Sequence, residues 1–142
     1  MPKPADEVGG DGFDLALDDD TLQWALIDAM GHELTAVTMT TLVVSSYRRV
    51  RCADVDLPDL PDLYAATDSV LSSQFGTDRF VTAQMARPSV SRGELRRVDD
   101  GRRAPLCDRG GREEGELTNP TTLPVGFGGR TPRGQHCAVA TR

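Results

Sequence analysis

The sequence lacks the features that mark membrane, secreted and disulfide-rich proteins. No stretch approaches the roughly 18 apolar residues that a membrane-spanning helix needs, and the N-terminus, MPKPADEVGGDG, has no apolar signal core. The three cysteines, Cys52, Cys107 and Cys137, are odd in number and far apart, so they indicate neither a disulfide framework nor a zinc ribbon. We interpret them as reduced thiols and expect a cytoplasmic protein.

Positive charge is also scarce. The chain has 16 Lys and Arg against 22 Asp and Glu, a formal net charge of −6. Nucleic-acid-binding proteins carry a basic patch, so we do not expect nucleic acid as a partner. Because no apolar stretch is long enough to span a bilayer, we expect no membrane partner either. With 142 residues, 38% of them hydrophobic, the chain is long enough to form one small domain with a core.

Apolar residues alternate with polar ones in the first part of the chain and again after its middle. FDLALD at 13–18 and TLQWALID at 21–28 predict two strands joined by an acidic turn. The alternation returns at 78–87 and 94–98, which predicts a second hairpin.

Between these hairpins the apolar period lengthens to three or four residues. This period predicts one helix over 32–51 and another over roughly 60–75. Pro61 suits the first turn of the second helix, and Gly76 suits the position after its end.

The element order β-β-α-α-β-β predicts an α+β domain, with a mainly antiparallel sheet and two helices packed on one face. We expect a loose N-terminal arm at 1–10, one domain over 11–129 and a disordered tail at 130–142. The residues expected to be mostly buried are Leu15, Leu17, Trp24, Leu26, Val37, Val44, Leu63, Val70, Phe80, Val81 and Met85.

Five segments then occur in a recognisable order. They are EVGGDGFD (7–14), LIDAMGHEL (26–34), FGTDRFVTAQMAR (75–87), GELRRVDDGRRAPL (93–106) and TNPTTLPVGFGG (118–129). Together they resemble the SpoIIE/RsbU type of PP2C-like (PPM) serine/threonine phosphatase domain over about residues 7–129. The resemblance implies a partial β-sandwich flanked by helices. It also implies Mn²⁺- or Mg²⁺-dependent hydrolysis of phosphoserine or phosphothreonine, with anti-sigma-factor antagonists as frequent substrates.

The resemblance implies a metal site at the ends of the first two strands. Asp11 and Asp28 would bind the metal through their carboxylates, and Ala29 through its backbone carbonyl. Hard divalent cations prefer such oxygen ligands, and a hairpin brings residues 11 and 28 to the same end of a sheet. The expected neighbours of the site are Gly10, Gly12, Gly31, His32 and Glu33. No catalytic residue is assigned.

The sequence departs from the family pattern at several positions. Glu33 stands where the family has glycine, beside the expected cation. VDDGRRAPL at 98–106 replaces the asparagine, alanine, histidine and proline of the family with Asp99, Asp100, Arg102 and Arg103, which puts strand pairing there in doubt. We interpret the arginine pairs at 96–97 and 102–103 as solvated, or as a relic of a shifted reading frame.

The late Thr-Asp-Gly motif of the family and its last acidic ligand have no counterpart in the sequence, and neither do most of its leading strands. We therefore expect a domain truncated at both ends, with weak metal binding and impaired activity.

Three alternatives stay open at this stage. The chain could be a non-catalytic, protein-binding remnant of such a domain. The segment GHEL at 31–34 superficially resembles the phosphoacceptor box of a histidine kinase, although strands precede it where a long helix is required. Asp28, taken alone, could be an ordinary solvated carboxylate at the end of a strand.

Overall fold

The computed structural model describes residues 9–18, 21–31, 33–53, 58–117, 122–128 and 134–138. Its elements in chain order are β1 (Asp11–Asp18), β2 (Thr21–Ala29), α1 (Leu34–Arg51), α2 (Leu60–Phe75), β3 (Val81–Ser89), β4 (Glu94–Asp100), β5 (Leu106–Arg109), β6 (Arg112–Glu116) and β7 (Gln135–Ala138). The predicted hairpins and both predicted helices are confirmed, with boundaries shifted by up to three residues.

Five of the strands form one antiparallel sheet in the order β1-β2-β3-β4-β7, while β5 and β6 form a separate hairpin. Both helices contact this sheet, α1 through β1 and β2, and α2 through β3 and β4. The two helices also pack against each other. The α+β class with an antiparallel sheet and two packed helices is therefore confirmed.

The core lies between the sheet and the helices. It contains buried residues from β2, β3 and β4 together with Met39, Val43 and Tyr47 of α1 and Leu63 and Leu71 of α2. Burying apolar area of this kind is the main favourable term in folding, at about 25 cal/mol per Å².

The alternation in β1 was recognised correctly, but its faces were assigned the wrong way round. Phe13, Leu15 and Leu17 are 70%, 62% and 72% exposed, and Leu26 on β2 is 40% exposed. Trp24, Val37, Val44, Val70 and Phe80 are only partly buried. The predicted core positions Leu63, Val81 and Met85 are buried.

The physical reason is the buried carboxylate of Asp14, which faces α1. Arg48 Nε lies 2.5 Å from Asp14 Oδ1, and Arg51 Nη2 lies 3.4 Å from Asp14 Oδ2. A buried charge is tolerated when it is paired, and these pairs turn the even-numbered face of β1 towards the helix. Gly12 on that face allows close approach, since a Cβ there would overlap Cγ2 of Thr40.

The prediction of a disordered tail is wrong for the last described residues. Gln135–Ala138 form β7, which pairs with β4 from Glu94 to Arg97. An unpaired strand edge exposes backbone N–H and C=O groups, and an added strand satisfies them. Residues 130–133 and 139–142 lie outside the described part of the chain, as do residues 1–8 of the predicted arm.

The hairpin of β5 and β6 was not predicted. Its turn contains Gly110 and Gly111, whose φ angles of +62° and +79° suit glycine. The segment 122–128 bridges β3 through Val125 and Val81, and the backbone N–H of Gly126 donates to Asp68 Oδ1 of α2 at 2.6 Å.

Among the described residues, neither helix has the length and apolar character required to cross a membrane. Cys52 and Cys107 are free thiols.

Candidate metal centre

Four strand termini lie side by side along one edge of the sheet, the edge that runs across the ends of the strands. β1 begins at Asp11, β2 ends at Ala29, β3 begins at Val81 and β4 ends at Asp100. Because neighbouring strands run antiparallel, these starts and ends alternate along the same edge. Residues that are distant in sequence, from the beginning of the chain to the loop after β4, are therefore brought together here.

Asp11 and Asp28 are directly opposite each other in the register of β1 and β2. Side chains of directly opposed residues lie on the same face of a sheet, with their Cβ atoms about 5 Å apart. Both side chains are exposed, Asp28 by 51%. The strand register thus brings together the two carboxylates that were predicted to form a site.

The glycines around this pair allow close backbone packing. The backbone N–H of Ala29 donates to the carbonyl oxygen of Gly10 at 3.1 Å. A Cβ on Gly10 would lie 2.9 Å from the carbonyl oxygen of Ala29, too close for any side chain. Gly31 has a φ of +90°, which suits glycine in the turn from β2 towards α1.

Glu33 begins α1 instead of joining the two aspartates. It is the N-cap residue, and its carbonyl oxygen accepts from the N–H of Ala36 at 2.9 Å. Its side chain makes no capping hydrogen bond and is exposed. His32 lies outside the described residues.

Arg102 is a site residue that the sequence analysis missed. Its Nη1 lies 3.7 Å from Asp28 Oδ2, and its side chain is 28% exposed. It lines two cavities at this edge, one of about 530 Å³ with Asp28 and one of about 290 Å³ with Asp11. The interpretation of the arginine pairs as solvated is therefore wrong for Arg102. It is also wrong for Arg97, which is 1% exposed.

The loop after β4 places Arg102 beside Asp28. Gly101 has a φ of +68°, and a Cβ there would lie 3.0 Å from Cγ2 of Thr82 on β3. The chain can thus turn closely over β3, towards β2. Nε2 of Gln84 then holds the loop by donating to the carbonyl oxygen of Arg103 at 2.6 Å. The glycine directly before the arginine pair was the sequence signal for this turn.

The two aspartates at the end of β4 are buried. Arg97 Nη1 lies 2.6 Å from Asp99 Oδ2, and the pKa of Asp99 is raised because burial disfavours its charged form. Burial also raises the pKa of Asp100 to about 9, despite the hydrogen bond that its Oδ1 accepts from the N–H of Ala83. β4 pairs with β3 through Asp100, so these substitutions do not disrupt the strand pairing.

The donor chemistry at the edge suits a hard divalent cation. Asp11 and Asp28 offer carboxylate oxygens, and Mg²⁺ is commonly bound by one or two carboxylates together with waters and substrate phosphate. In the part of the chain that the structure describes, no group of three or more His, Cys, Asp or Glu side chains is placed to hold a metal ion. The two carboxylates fit a cation that has few protein ligands and takes its other ligands from water and substrate.

The sequence model of the family described as Stage II sporulation protein E (SpoIIE) matches residues 18–140. This match covers most of the chain. The chain belongs to the SpoIIE family. Asp28 lies inside the matched region, and Asp11 lies shortly before it. No curated protein matches the chain.

Several solved structures have a fold similar to that of this SpoIIE-family chain. The RsbU and RsbW domains of a Mycobacterium tuberculosis protein are similar, with a TM-score of 0.78 and 20% identity over 94% of this chain. The SiaA-PP2C domain of Pseudomonas aeruginosa gives 0.77 and 19% over 97%. The PP2C phosphatase domain of SpoIIE from Bacillus subtilis, solved with a regulatory fragment, gives 0.75 and 14% over 92%.

The SpoIIE-family chain spans 37%, 54% and 38% of the lengths of these three chains. A further similar structure is that of RsbX in complex with magnesium, with a TM-score of 0.72 and 15% identity over 94% of this chain. At these identities the likeness establishes a PP2C-like fold.

Proposed function

We propose that the chain is a PP2C-like protein phosphatase domain that acts on phosphoserine or phosphothreonine with Mn²⁺ or Mg²⁺ bound at Asp11 and Asp28. The observation that carries this proposal is the register of β1 and β2, which sets the two carboxylates opposite each other at an open edge of the sheet. Family membership supplies the reaction class.

Each residue would have a defined part in this reaction. Asp11 and Asp28 would hold the cation through their carboxylates, with the carbonyl of Ala29 as a further ligand. When bound, the cation lowers the pKa of a coordinated water and neutralises phosphate charge. Gly10 and Gly12 keep α1 and the strand ends close together, so the carboxylates are held by rigid elements and not by a loop.

The turnover of this chain alone would be low. Two carboxylates leave most coordination positions to water and substrate, so the affinity for metal would be weak. Arg102 adds a positive charge 3.7 Å from Asp28, where it competes with a cation. Misplacing the reacting groups by about 1 Å can cost about a hundredfold in rate.

A phosphoprotein of a partner-switching pathway, such as an anti-sigma-factor antagonist, is the substrate class that we propose. Similar solved structures include linked RsbU and RsbW domains and a protein of the bacterial stressosome. A cytoplasmic location would fit such a substrate.

The test is a hydrolysis assay on a phosphoserine protein with Mn²⁺ and with EDTA. We expect slow hydrolysis that needs Mn²⁺ and is abolished by Asp28→Ala. Asp18→Ala is the matched control, because Asp18 is an exposed aspartate at the opposite end of β1 from Asp11. Hydrolysis that survives Asp28→Ala would contradict the proposed role of Asp28.

A second candidate function is non-catalytic binding of a phosphoprotein. The contact between Arg102 and Asp28 favours it, because the guanidinium of Arg102 already partly neutralises the carboxylate of Asp28. Binding of the phosphoprotein without any hydrolysis in Mn²⁺, by a chain that is shown to be folded, would select this function over the enzyme.

A further inference from the structure

The larger cavity at the sheet edge carries an excess of positive charge. It has a volume of about 530 Å³, and its lining includes Asp28, Thr82, Gln84, Gly101, Arg102 and Arg103. Two arginines and one aspartate therefore line it, in a chain whose formal net charge is −6. A local cationic cavity in an acidic protein favours an anionic ligand.

We propose that Arg102 and Arg103 form a phosphoryl-binding site that holds the phosphate of a phosphoserine side chain beside Asp28 without help from a metal ion. The proposal rests on the proposed function for its substrate class, but the binding it describes does not depend on hydrolysis. Arg102 acts here as a phosphoryl-binding residue.

An unsatisfied donor supports this site. Within the described residues, Nη1 of Arg102 is buried and has no hydrogen-bond acceptor. The distance of 3.7 Å to Asp28 Oδ2 allows Coulombic attraction but exceeds a hydrogen bond. A buried donor without an acceptor is costly. The Arg102 side chain as a whole is 28% exposed, so a small rotation of its guanidinium would present Nη1 to a phosphoryl oxygen in the cavity. Arginine is suited to this because its planar fork matches phosphate oxygens.

The loop that carries the two arginines is held in place before any ligand binds. Gln84 donates to the carbonyl oxygen of Arg103 at 2.6 Å, and Gly101 packs against Thr82. Thr82 Oγ1 in turn donates to the carbonyl oxygen of Asp28 at 3.3 Å. The neighbouring strands β2 and β3 thus fix the position of the loop beside Asp28, which reduces the entropy lost on binding.

The exposed side chain of Arg103 lies at the solvent side of the site. Arg102 is partly buried at the inner side, next to the carboxylate. This arrangement would let Arg103 attract the anion electrostatically while Arg102 supplies the hydrogen bonds.

The test is a titration in EDTA with two probes, inorganic phosphate and O-phospho-L-serine, followed by amide chemical shifts in NMR spectra. We expect saturable shifts at Thr82, Gly101 and Arg102 for O-phospho-L-serine, and none for L-serine. Arg102→Gln should weaken binding by about tenfold or more, the typical cost of losing charge-assisted hydrogen bonds. Arg102→Lys should weaken it less, because it retains the charge.

Arg112→Gln is the matched control, because Arg112 is an exposed arginine on β6 that does not line the cavity. Undisturbed amide spectra of each variant establish that it is folded. Equal binding by the wild type and Arg102→Gln, or no binding of either probe by the wild type, would overturn the proposal. Loss of Mn²⁺-dependent hydrolysis with phosphate binding intact would instead count against the enzyme function.

Discussion

Nη1 of Arg102 lies 3.7 Å from Oδ2 of Asp28, so a guanidinium group neighbours one of the two carboxylates that are proposed to bind a cation. The pair is half exposed, and its Coulombic attraction is therefore modest. An arrangement of this kind can exchange partners, because neither group is locked in a short hydrogen bond with the other. A cation would compete with Arg102 for Asp28, whereas a phosphate would compete with Asp28 for Arg102.

Removing the charge of Arg102 should strengthen metal binding. Two unit charges about 4 Å apart interact by about 1 kcal/mol in water, which corresponds to about a fivefold change in affinity. We expect Arg102→Gln to bind Mn²⁺ about fivefold more tightly than the wild type in a calorimetric titration at low salt. Arg112→Gln should leave the affinity unchanged. Weaker Mn²⁺ binding by Arg102→Gln would show that the guanidinium does not oppose the cation.

Asp14 should contribute to stability through its pairs with Arg48 and Arg51. Its side chain is 3% exposed, while that of Arg48 is 57% exposed, so the arginine retains solvation when the pair is broken. We expect Asp14→Ala to lower the free energy of unfolding by about 1–3 kcal/mol in urea titrations. The exposed Asp18 at the end of the same strand provides the control. A similar, small loss in free energy of unfolding in both variants would show that the ion pairs of Asp14 do not stabilise the contact between β1 and α1.

The buried carboxyl of Asp100 should make stability depend on pH. Burial raises its pKa from the ordinary 3.8 to about 9, so the folded state binds this proton more tightly than the unfolded state. The stabilisation is complete below the unfolded pKa and is lost as the pH rises from about 4 towards about 9. The charged groups that affect this pKa are Asp99, Asp68 and Arg102.

Asp100→Asn should remove much of this decline. The amide keeps an oxygen that can accept from the N–H of Ala83, and it does not ionise. We expect urea titrations at several pH values to show a flatter stability profile for Asp100→Asn than for the wild type. Asp78→Asn, at an exposed position, should follow the wild type. A wild-type profile that rises with pH across this range would contradict a raised pKa.

The outer face of β1 should tolerate truncation of its apolar side chains, whereas the core should not. Leu17 is 72% exposed, whereas Leu63 on α2 is 0% exposed. Leu63→Ala should cost about 2–5 kcal/mol in free energy of unfolding because it leaves a cavity. Leu17→Ala should stay within about 0.5 kcal/mol of the wild type. Comparable losses at the two positions would mean that the face carrying Leu17 is covered in solution.

The helices and strands could be predicted from the sequence because the spacing of the apolar residues agrees with the positions of the proline and glycine residues that begin and end the elements. Pro61 lies in the first turn of α2, and Gly76 caps its end. The order of the hairpins and helices then fixes an antiparallel sheet with helices on one face. Alternation alone does not say which face of a strand meets a helix, and that was decided by contacts from a distant part of the chain, between Asp14 and Arg48 or Arg51.

The candidate site could be predicted only in part for the same reason. Asp11 and Asp28 belong to one hairpin, so their proximity follows from local register. Arg102 comes from the loop after β4 and reaches Asp28 across β3, a relationship that depends on strand order. β7 likewise depends on a pairing between distant segments, and its short, irregular sequence carries no periodic signal.

The central claim is that Asp28, with Asp11 opposite it, binds a divalent cation at the edge of the sheet. Calorimetric titration of Mn²⁺ into the wild type and into Asp28→Ala tests it most directly, with Asp18→Ala as the control for a lost surface charge. We expect weak, saturable binding by the wild type and the control, and its loss in a folded Asp28→Ala variant. Equal Mn²⁺ binding by Asp28→Ala and the wild type would remove Asp28 from the metal site.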